Sequence, residues 1–174
     1  MPVPEHAQVD YDRLYREHHA AILRLCRLLL SDAAEAEDAA QDVFLKAVRY
    51  WGSNGAPEVW RKWLQRVAVN GCRDRWRSAW WRWRKAQPSE FDESVIPSPH
   101  GNPEQQAANR QQIKRIWRGF DALPSRQREI FVLRHLEGWT LDEIAQTLGA
   151  STASVKMHLF RAVHKLRGAI SESA

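Results

Sequence analysis

Apolar residues recur along this chain every three or four positions, the spacing of one buried face on an α-helix, and the alternation that marks a strand is nearly absent. Tyr11 to Leu30 is the first such stretch, with Leu14, His18, Ile22, Leu25 and Leu29 on one stripe. Asp32 is placed to cap a second helix that runs to about Tyr50 and turns Ala36, Ala39, Ala40, Val43, Phe44 and Val48 inward. Gly52-Ser-Asn-Gly-Ala56 is expected to break it, and Pro57 suits the first turn of a third helix. That helix is expected to reach about Arg84 and to bury Trp60, Leu64, Val67, Ala68 and Cys72.

Between Gln87 and Pro103 the periodicity stops, and four of the eight prolines, a glycine and three acids fall there, a linker by composition. Phe91, Val95 and Ile96 are more apolar than a solvated tether needs, so the linker has the means to dock on a surface. Helix resumes near Glu104 with Ile113, Ile116, Trp117 and Phe120. Leu123-Pro124 starts another, carrying Ile130, Phe131, Leu133 and Leu136 to an end at Gly138. The pattern predicts an all-α fold of two small helical domains, 10–86 and 105–170, joined by a flexible linker at 87–104, with short tails at 1–9 and 171–174.

The last two helices are the most informative. Thr140 and Glu143 have the spacing of a capping box, and Leu141, Ile144, Ala145 and Leu148 form one stripe behind it. Gly149 follows at the position where a left-handed C-cap favours glycine, and Ser151 can cap the next helix. That helix repeats Val155, Leu159, Val163 and Leu166 on one face. Between Thr152 and Arg167 it holds four Lys or Arg (Lys156, Arg161, Lys165, Arg167) and no acid. A capped helix, a short glycine turn and a second helix with a positive solvent face make a helix-turn-helix, which lays its second helix in a DNA major groove.

Charge sharpens the picture. The net charge of +5 and pI near 9.6 favour an anionic partner. Pro57 to Lys85 holds nine Lys or Arg against two acids, whereas Ser31 to Asp42 holds five acids and no base. One surface therefore suits phosphate and another suits a basic protein. Six of the nine tryptophans lie between Trp60 and Trp83 among those cations, a mixture suited to stacking single-stranded bases while following phosphates.

Other chemistry is sparse. Cys26 and Cys72 lie on helical patterns and read as thiols of a reducing compartment. His18, His19 and Cys26 lack a fourth ligand at zinc spacing, so no metal site is expected. There is no glycine-rich phosphate loop, nucleophile motif or apolar carboxylate pair, so neither a cofactor nor a small-molecule substrate is expected, and the chain reads as a non-enzyme. No signal peptide and no apolar run near the roughly 18 residues of a membrane span are evident, which predicts a cytoplasmic protein.

From about Asp10 to Ile170 the chain resembles the extracytoplasmic-function (ECF) group of bacterial RNA polymerase sigma factors. Three stretches, in the family's order, carry the resemblance. Ala36-Glu-Asp-Ala-Ala-Gln-Asp-Val-Phe-Leu-Lys-Ala47 is similar to the helix that binds core polymerase. Trp63-Leu-Gln-Arg-Val-Ala-Val-Asn70 with Arg73-Asp74 is similar to the promoter-melting helix. Leu123-Pro-Ser-Arg-Gln-Arg-Glu-Ile-Phe131 through Val155-Lys-Met-His-Leu-Phe-Arg161 is similar to the upstream-element reader. The resemblance implies sigma-2 and sigma-4 domains, core RNA polymerase and promoter DNA as partners, and control by an anti-sigma factor, often membrane-anchored.

It also implies site residues. Asp38, Gln41, Asp42, Leu45 and Lys46 are expected to dock on basic helices of the polymerase. Trp60, Arg61 and Lys62, with the loop from Gly52 to Ala56, are expected to pocket a base flipped from the minus-ten element. Asn70 would read a neighbouring base, Arg73 and Arg77 would hold phosphates, and Trp63 is divided between core packing and base stacking. Extrusion of a base costs a few kcal/mol, which stacking at roughly 1–3 kcal/mol per base can offset. Ser151, Thr152 and Ser154 are expected to bond phosphates at a helix N-terminus. Lys156, Met157, His158, Phe160 and Arg161 are expected to face minus-thirty-five base edges, with Lys156, His158 and Arg161 exposed. Met157 stands where the family often has a small polar residue, so no base preference transfers. Trp80, Trp81 and Trp83 extend the DNA surface or bind a regulator. The competing readings are a free-standing helix-turn-helix regulator, which would more often dimerise on a palindrome, and a helical interaction module.

Overall fold

The computed structural model describes residues 5–30, 32–54, 59–78 and 103–171, and side chains at 11–51, 59–78, 110–169 and 171 within them. Among the described residues there are seven α-helices and no strand. The chain divides into two compact units, Met1–Pro88 and Ser89–Ala174. The first contains α1 (Glu5–Leu30), α2 (Ala33–Asn54) and α3 (Trp60–Arg77); the second contains α4 (Pro103–Asp121), α5 (Ser125–His135), α6 (Leu141–Leu148) and α7 (Thr152–Ser171).

In the first unit each helix packs on the other two. Ile22, Leu25, Cys26 and Leu29 of α1 meet Ala39, Ala40, Val43 and Phe44 of α2 and Leu64, Ala68, Val69 and Cys72 of α3 in one core. Four buried alanines on α2 (Ala36, Ala39, Ala40, Ala47) let its neighbours approach closely. Asp32 caps α2, accepting the Glu35 N–H at 2.9 Å. The helix ends at Asn54, inside the stretch 52–56 expected to break it, but it runs past Tyr50 and carries Gly52 in helical conformation. Tyr50 and Trp51 there pack their rings against Trp63 and Trp60, contacts that offset the roughly 1 kcal/mol cost of a helical glycine.

Helix α3 also differs at both ends. It starts at Trp60, after an extended Val59 with φ −132°, and Pro57 lies outside the described residues. It stops at Arg77 rather than Arg84, because Ser78 turns extended and gives both its N–H and its hydroxyl to the Arg75 carbonyl. Residues 79–102 lie outside the described residues, and with them Trp80, Trp81, Trp83 and most of the linker. The buried stripe of α3 is Leu64, Gln65, Ala68, Val69 and Cys72. Trp60 and Val67, expected inside, are only half-buried: seven apart, they share a flank of that stripe.

In the second unit α7 packs against α4, α5 and α6. Trp117, Phe120, Leu123, Ile130, Leu133, Ile144, Leu148, Val155, Ala162 and Leu166 fill the core. Gly119 is where α4 meets α7: a Cβ there would lie 2.8 Å from the Cβ of Ala169. Helix α5 departs most from expectation. Leu136 is exposed and Phe131 half-buried, while Gln127, Arg128 and Glu129 are buried. Ile116 of α4 is likewise exposed. Arg128 is tolerated inside because its Nη2 donates to both the carboxylate of Asp121, at 2.9 Å, and its backbone carbonyl. Its guanidinium also lies over the Phe120 ring, 5.4 Å from the centroid. Burial lowers the Arg128 pKa, and Asp121 opposes the shift. Trp139, in the turn after Gly138 (φ 71°), is completely buried, donating its N–H to the Leu133 carbonyl at 2.9 Å. No helix of the described residues is long and apolar enough to cross a membrane.

Candidate functional site

Helices α6 and α7 form the expected helix-turn-helix, and its turn is held from several directions. Thr140 Oγ1 accepts the Glu143 N–H at 3.1 Å, and Glu143 Oε2 accepts the Thr140 N–H at 2.8 Å, a complete capping box. Gly149 ends α6 in the left-handed region (φ 60°, ψ 41°), and the Ala150 N–H reaches back to the Ala145 carbonyl at 2.9 Å. Ser151 Oγ accepts the Ser154 N–H at 3.1 Å and so caps α7. Arg126 of α5 donates to the last carbonyl of α6, Leu148, at 2.9 Å. Thr152 Oγ1 donates to Asp142 at 2.9 Å, tying α7 to α6.

These bonds decide which hydroxyls remain for an anion. Ser151 accepts through its oxygen and keeps its O–H to donate. Thr152 spends its proton on Asp142, so it has none to give a phosphate in this arrangement. Ser154 is half-buried.

Along α7 the buried line is Val155, Ala162 and Leu166, with Leu159 and Val163 half-buried. The helix is thus rotated slightly from the expected 155–159–163–166 stripe, and the rotation draws His158 inward. His158 was expected to be exposed; it is half-buried, and its Nδ1 is shielded with no hydrogen-bond partner. Its pKa is lowered, first by desolvation and then by the nearby cations Arg126 and Arg161. Lys156, Met157, Phe160 and Arg161 do stand on the surface. Phe160 is 72% exposed and Met157 52%, large apolar groups open to solvent. The Phe160 ring lies nearly parallel to His164, centroids 6.1 Å apart.

The basic helix α3 presents a second surface. Trp60 and Trp63 meet at 5.6 Å, and Tyr50 and Trp51 at the end of α2 join them at 4.8 and 5.3 Å. All four rings are half-buried, so Trp63 is partly packed and partly open. Arg61 is exposed and Lys62 half-buried beside this group. Asn70 and Arg77 are exposed and Arg73 is half-buried. Arg66, not among the expected site residues, is also exposed, and its spacing of four residues from both Lys62 and Asn70 places it on that face. Of the loop expected at 52–56 to help pocket a base, residues 52–54 are the helical end of α2, and residues 55 and 56 lie outside the described residues.

The acidic helix α2 presents a third. Asp38, Gln41, Asp42, Leu45 and Lys46 are all exposed, and Leu45, at 54%, is an apolar side chain without cover in the unit. The borders of this face are engaged: Glu37 pairs with Arg27 of α1 at 3.2 Å, and Asp42 pairs with Arg75 of α3 at 2.7 Å. Asp42 is therefore less available to a partner than Asp38. His19 stacks on Tyr15 at 4.5 Å, while Cys26 is completely buried.

Two family models, several curated relatives and solved structures match this chain. The Sigma-70 region 2 model matches residues 14–82, and the Sigma-70, region 4 model matches residues 113–166. The chain is 33% identical over 156 residues to the ECF RNA polymerase sigma factor SigM of Mycobacterium tuberculosis, covering 90% of this chain and 74% of that one. It is 30% identical over 160 residues to the RNA polymerase sigma-E factor of Streptomyces coelicolor, covering 91% and 85%. In fold it is similar to the sigma factor RpoE of Bartonella quintana, solved with the anti-sigma factor NepR (TM-score 0.67, 21% identity, 95% of this chain and 99% of that one). It is also similar to CnrH, solved with the cytosolic domain of CnrY (TM-score 0.62, 22% identity, 96% and 91%).

Proposed function

This chain belongs to the ECF RNA polymerase sigma factors, and from that membership we propose how its residues divide the work of initiation. Sigma factors of this family bind core RNA polymerase and direct it to promoters; the chain is a transcription initiation factor. The first functional domain spans 10–86 and the second 105–170, with 87–104 between them. The α2 face centred on Asp38, Gln41 and Leu45, with Asp42 and Lys46 at its border, docks on a basic polymerase surface. An exposed leucine among carboxylates supports this: charge steers the encounter and the buried apolar contact slows release.

At the minus-ten element, Trp60, Arg61, Lys62 and Trp63 receive an extruded base, Asn70 reads a neighbour, and Arg73 and Arg77 hold phosphates. At the minus-thirty-five element, Lys156, Met157, Phe160 and Arg161 face the groove, and Ser151 and Ser154 lie against the backbone. Thr152 is engaged with Asp142 and His158 is turned partly inward, so both stand back from the reading face. The single observation that carries the reading is the α7 face itself: exposed Phe160, Met157, Lys156 and Arg161 on a helix locked in place by caps at its own N-terminus and on α6. The catalysis of RNA synthesis belongs to the polymerase, and this chain supplies addressing and strand opening in the cytoplasm, where core enzyme and DNA meet. A partner that covers Leu45 and the α2 carboxylates would silence it; an anti-sigma factor is the expected one, and the sigma factor RpoE, of similar fold, was solved in complex with the anti-sigma factor NepR.

Two variants test the division. Asp38→Ala is expected to weaken core polymerase binding in a direct titration and to leave upstream duplex recognition by the holoenzyme, at saturating core, unchanged. Arg161→Ala is expected to do the reverse. Loss of core binding in Arg161→Ala, or full core affinity in Asp38→Ala, contradicts the assignment.

A further inference from the structure

The completely buried stripe of α3 ends at Cys72, and in the last turn Trp76 is only half-buried, with its Nε1 shielded. Arg75 ties that turn to α2. Its Nη2 donates to Asp42 Oδ2 at 2.7 Å, and its Nε lies 3.4 Å from Glu35 Oε2. Glu35 and Asp42 are seven residues apart, so two turns of α2 offer carboxylates on the same side. Burial works against the charge of Arg75, yet the hydrogen bond and attraction of Asp42 outweigh it and leave the pKa raised. At about 100° per residue, positions 73 and 77 each lie roughly 200° from position 75 around the helix. The turn anchored by Arg75 on one side therefore presents Arg73 and Arg77 on the other, and Arg77 is exposed there.

We propose that Arg75 is a positioning residue for promoter DNA: its ion pairs with Asp42 and Glu35 hold the last turn of α3 so that Arg73 and Arg77 reach phosphates. The inference rests on the assignment of α3 to the minus-ten element. It gives Asp42 a second role beside docking, through a residue that makes no DNA contact of its own. It also reverses a simple electrostatic expectation. Neutralising an acid near a phosphate-binding surface ordinarily strengthens DNA binding, because repulsion falls. Here neutralising Asp42 releases Arg75 and weakens binding.

The test uses holoenzyme assembled from the full chain at saturating core polymerase, so that altered core affinity does not enter. A fluorescent single-stranded minus-ten oligonucleotide is titrated at several salt concentrations. Asp42→Asn and Arg75→Ala are each expected to weaken binding several-fold, and the double variant to be no weaker than the worse single. The slope of log affinity against log salt should fall by roughly 1.4, two single-strand phosphate contacts at about 0.7 each. Arg75→Lys, which keeps a cation facing Asp42, should recover most of the affinity and would not do so if loss of the guanidinium had unfolded the domain. Overturning results are Asp42→Asn binding as well as or better than the parent, or Arg75→Ala reducing the slope by only about 0.7, the signature of a direct contact. A parent holoenzyme that does not bind the oligonucleotide removes the α3 assignment itself, a failure distinct from that of the variants.

Discussion

Replacing Gly149 with alanine separates the scaffold of the recognition helix from its reading surface. Gly149 sits at φ 60°, ψ 41°, and a Cβ built there meets nothing within 4 Å, so steric overlap contributes nothing. What remains is the left-handed backbone, which costs an L-residue roughly 1–2 kcal/mol. The reduced freedom of alanine in the unfolded chain returns about 0.4–1 kcal/mol. The expected net loss is therefore about 1 kcal/mol, and Gly149→Asn should lose less, because asparagine tolerates this region. Domains of this size are typically stable by about 5–15 kcal/mol, so nearly all molecules stay folded and upstream duplex affinity should remain within about twofold. Arg161→Ala should behave in the opposite way. Its exposed side chain contributes little stability, but a bidentate guanine contact is worth about 1–3 kcal/mol. The assay pairs hydrogen exchange of α6 and α7 amides, which reads this unit alone, with duplex titration of the holoenzyme. A Gly149→Ala protein as stable as the parent, or one that stays folded yet loses tenfold in affinity, would refute the view that the turn is scaffold and α7 the reader.

Three further outcomes follow from the packing. Gly119→Ala gains about 1 kcal/mol of helix propensity but drives a Cβ to 2.8 Å from that of Ala169; overpacking at about 1–3 kcal/mol should win in a denaturant melt, and adding Ala169→Gly should relieve it. Trp139→Ala empties a completely buried site and should cost about 3–5 kcal/mol, abolishing minus-thirty-five recognition while core binding through α2 persists in a pull-down. His158, a base whose folded pKa is lowered by desolvation and by Arg126 and Arg161, contributes stability that is whole above its unfolded pKa of about 6.5 and is lost as pH falls through the folded value. Thermal melts from pH 7.5 to 5.5 should therefore show a steeper decline for the parent than for His158→Gln; equal slopes would remove the effect.

Local signals explain what the sequence made readable. Thr140, Glu143, Gly149 and Ser151 act within a few residues of themselves, so their caps could be assigned before any tertiary contact was known. The α2 stripe was readable because alanines and large apolar residues repeat at helical spacing on one face. What escaped depends on distant partners. Arg128 looks like a surface residue until Asp121 and the Phe120 ring close around it. Trp139 sits in a turn, outside any periodic stripe, and only its burial identifies it as an anchor of the second unit. That α2 carries on through Gly52 before ending at Asn54 depends on Tyr50 and Trp51 finding the tryptophans of α3. The inward turn of His158 reflects a small rotation of α7 that no residue of α7 dictates alone. Among the candidate site residues, the order of surfaces was legible, but the clasp of Asp42 by Arg75, 33 residues away, was not.

The most direct test of the central claim is promoter-directed transcription in vitro, with bacterial core polymerase and a promoter library, with and without this protein. Transcripts from discrete start sites that depend on the protein, together with two conserved sequence blocks upstream of them, are the predicted result. No dependent transcripts, combined with tight palindromic duplex binding by the protein alone, would contradict it.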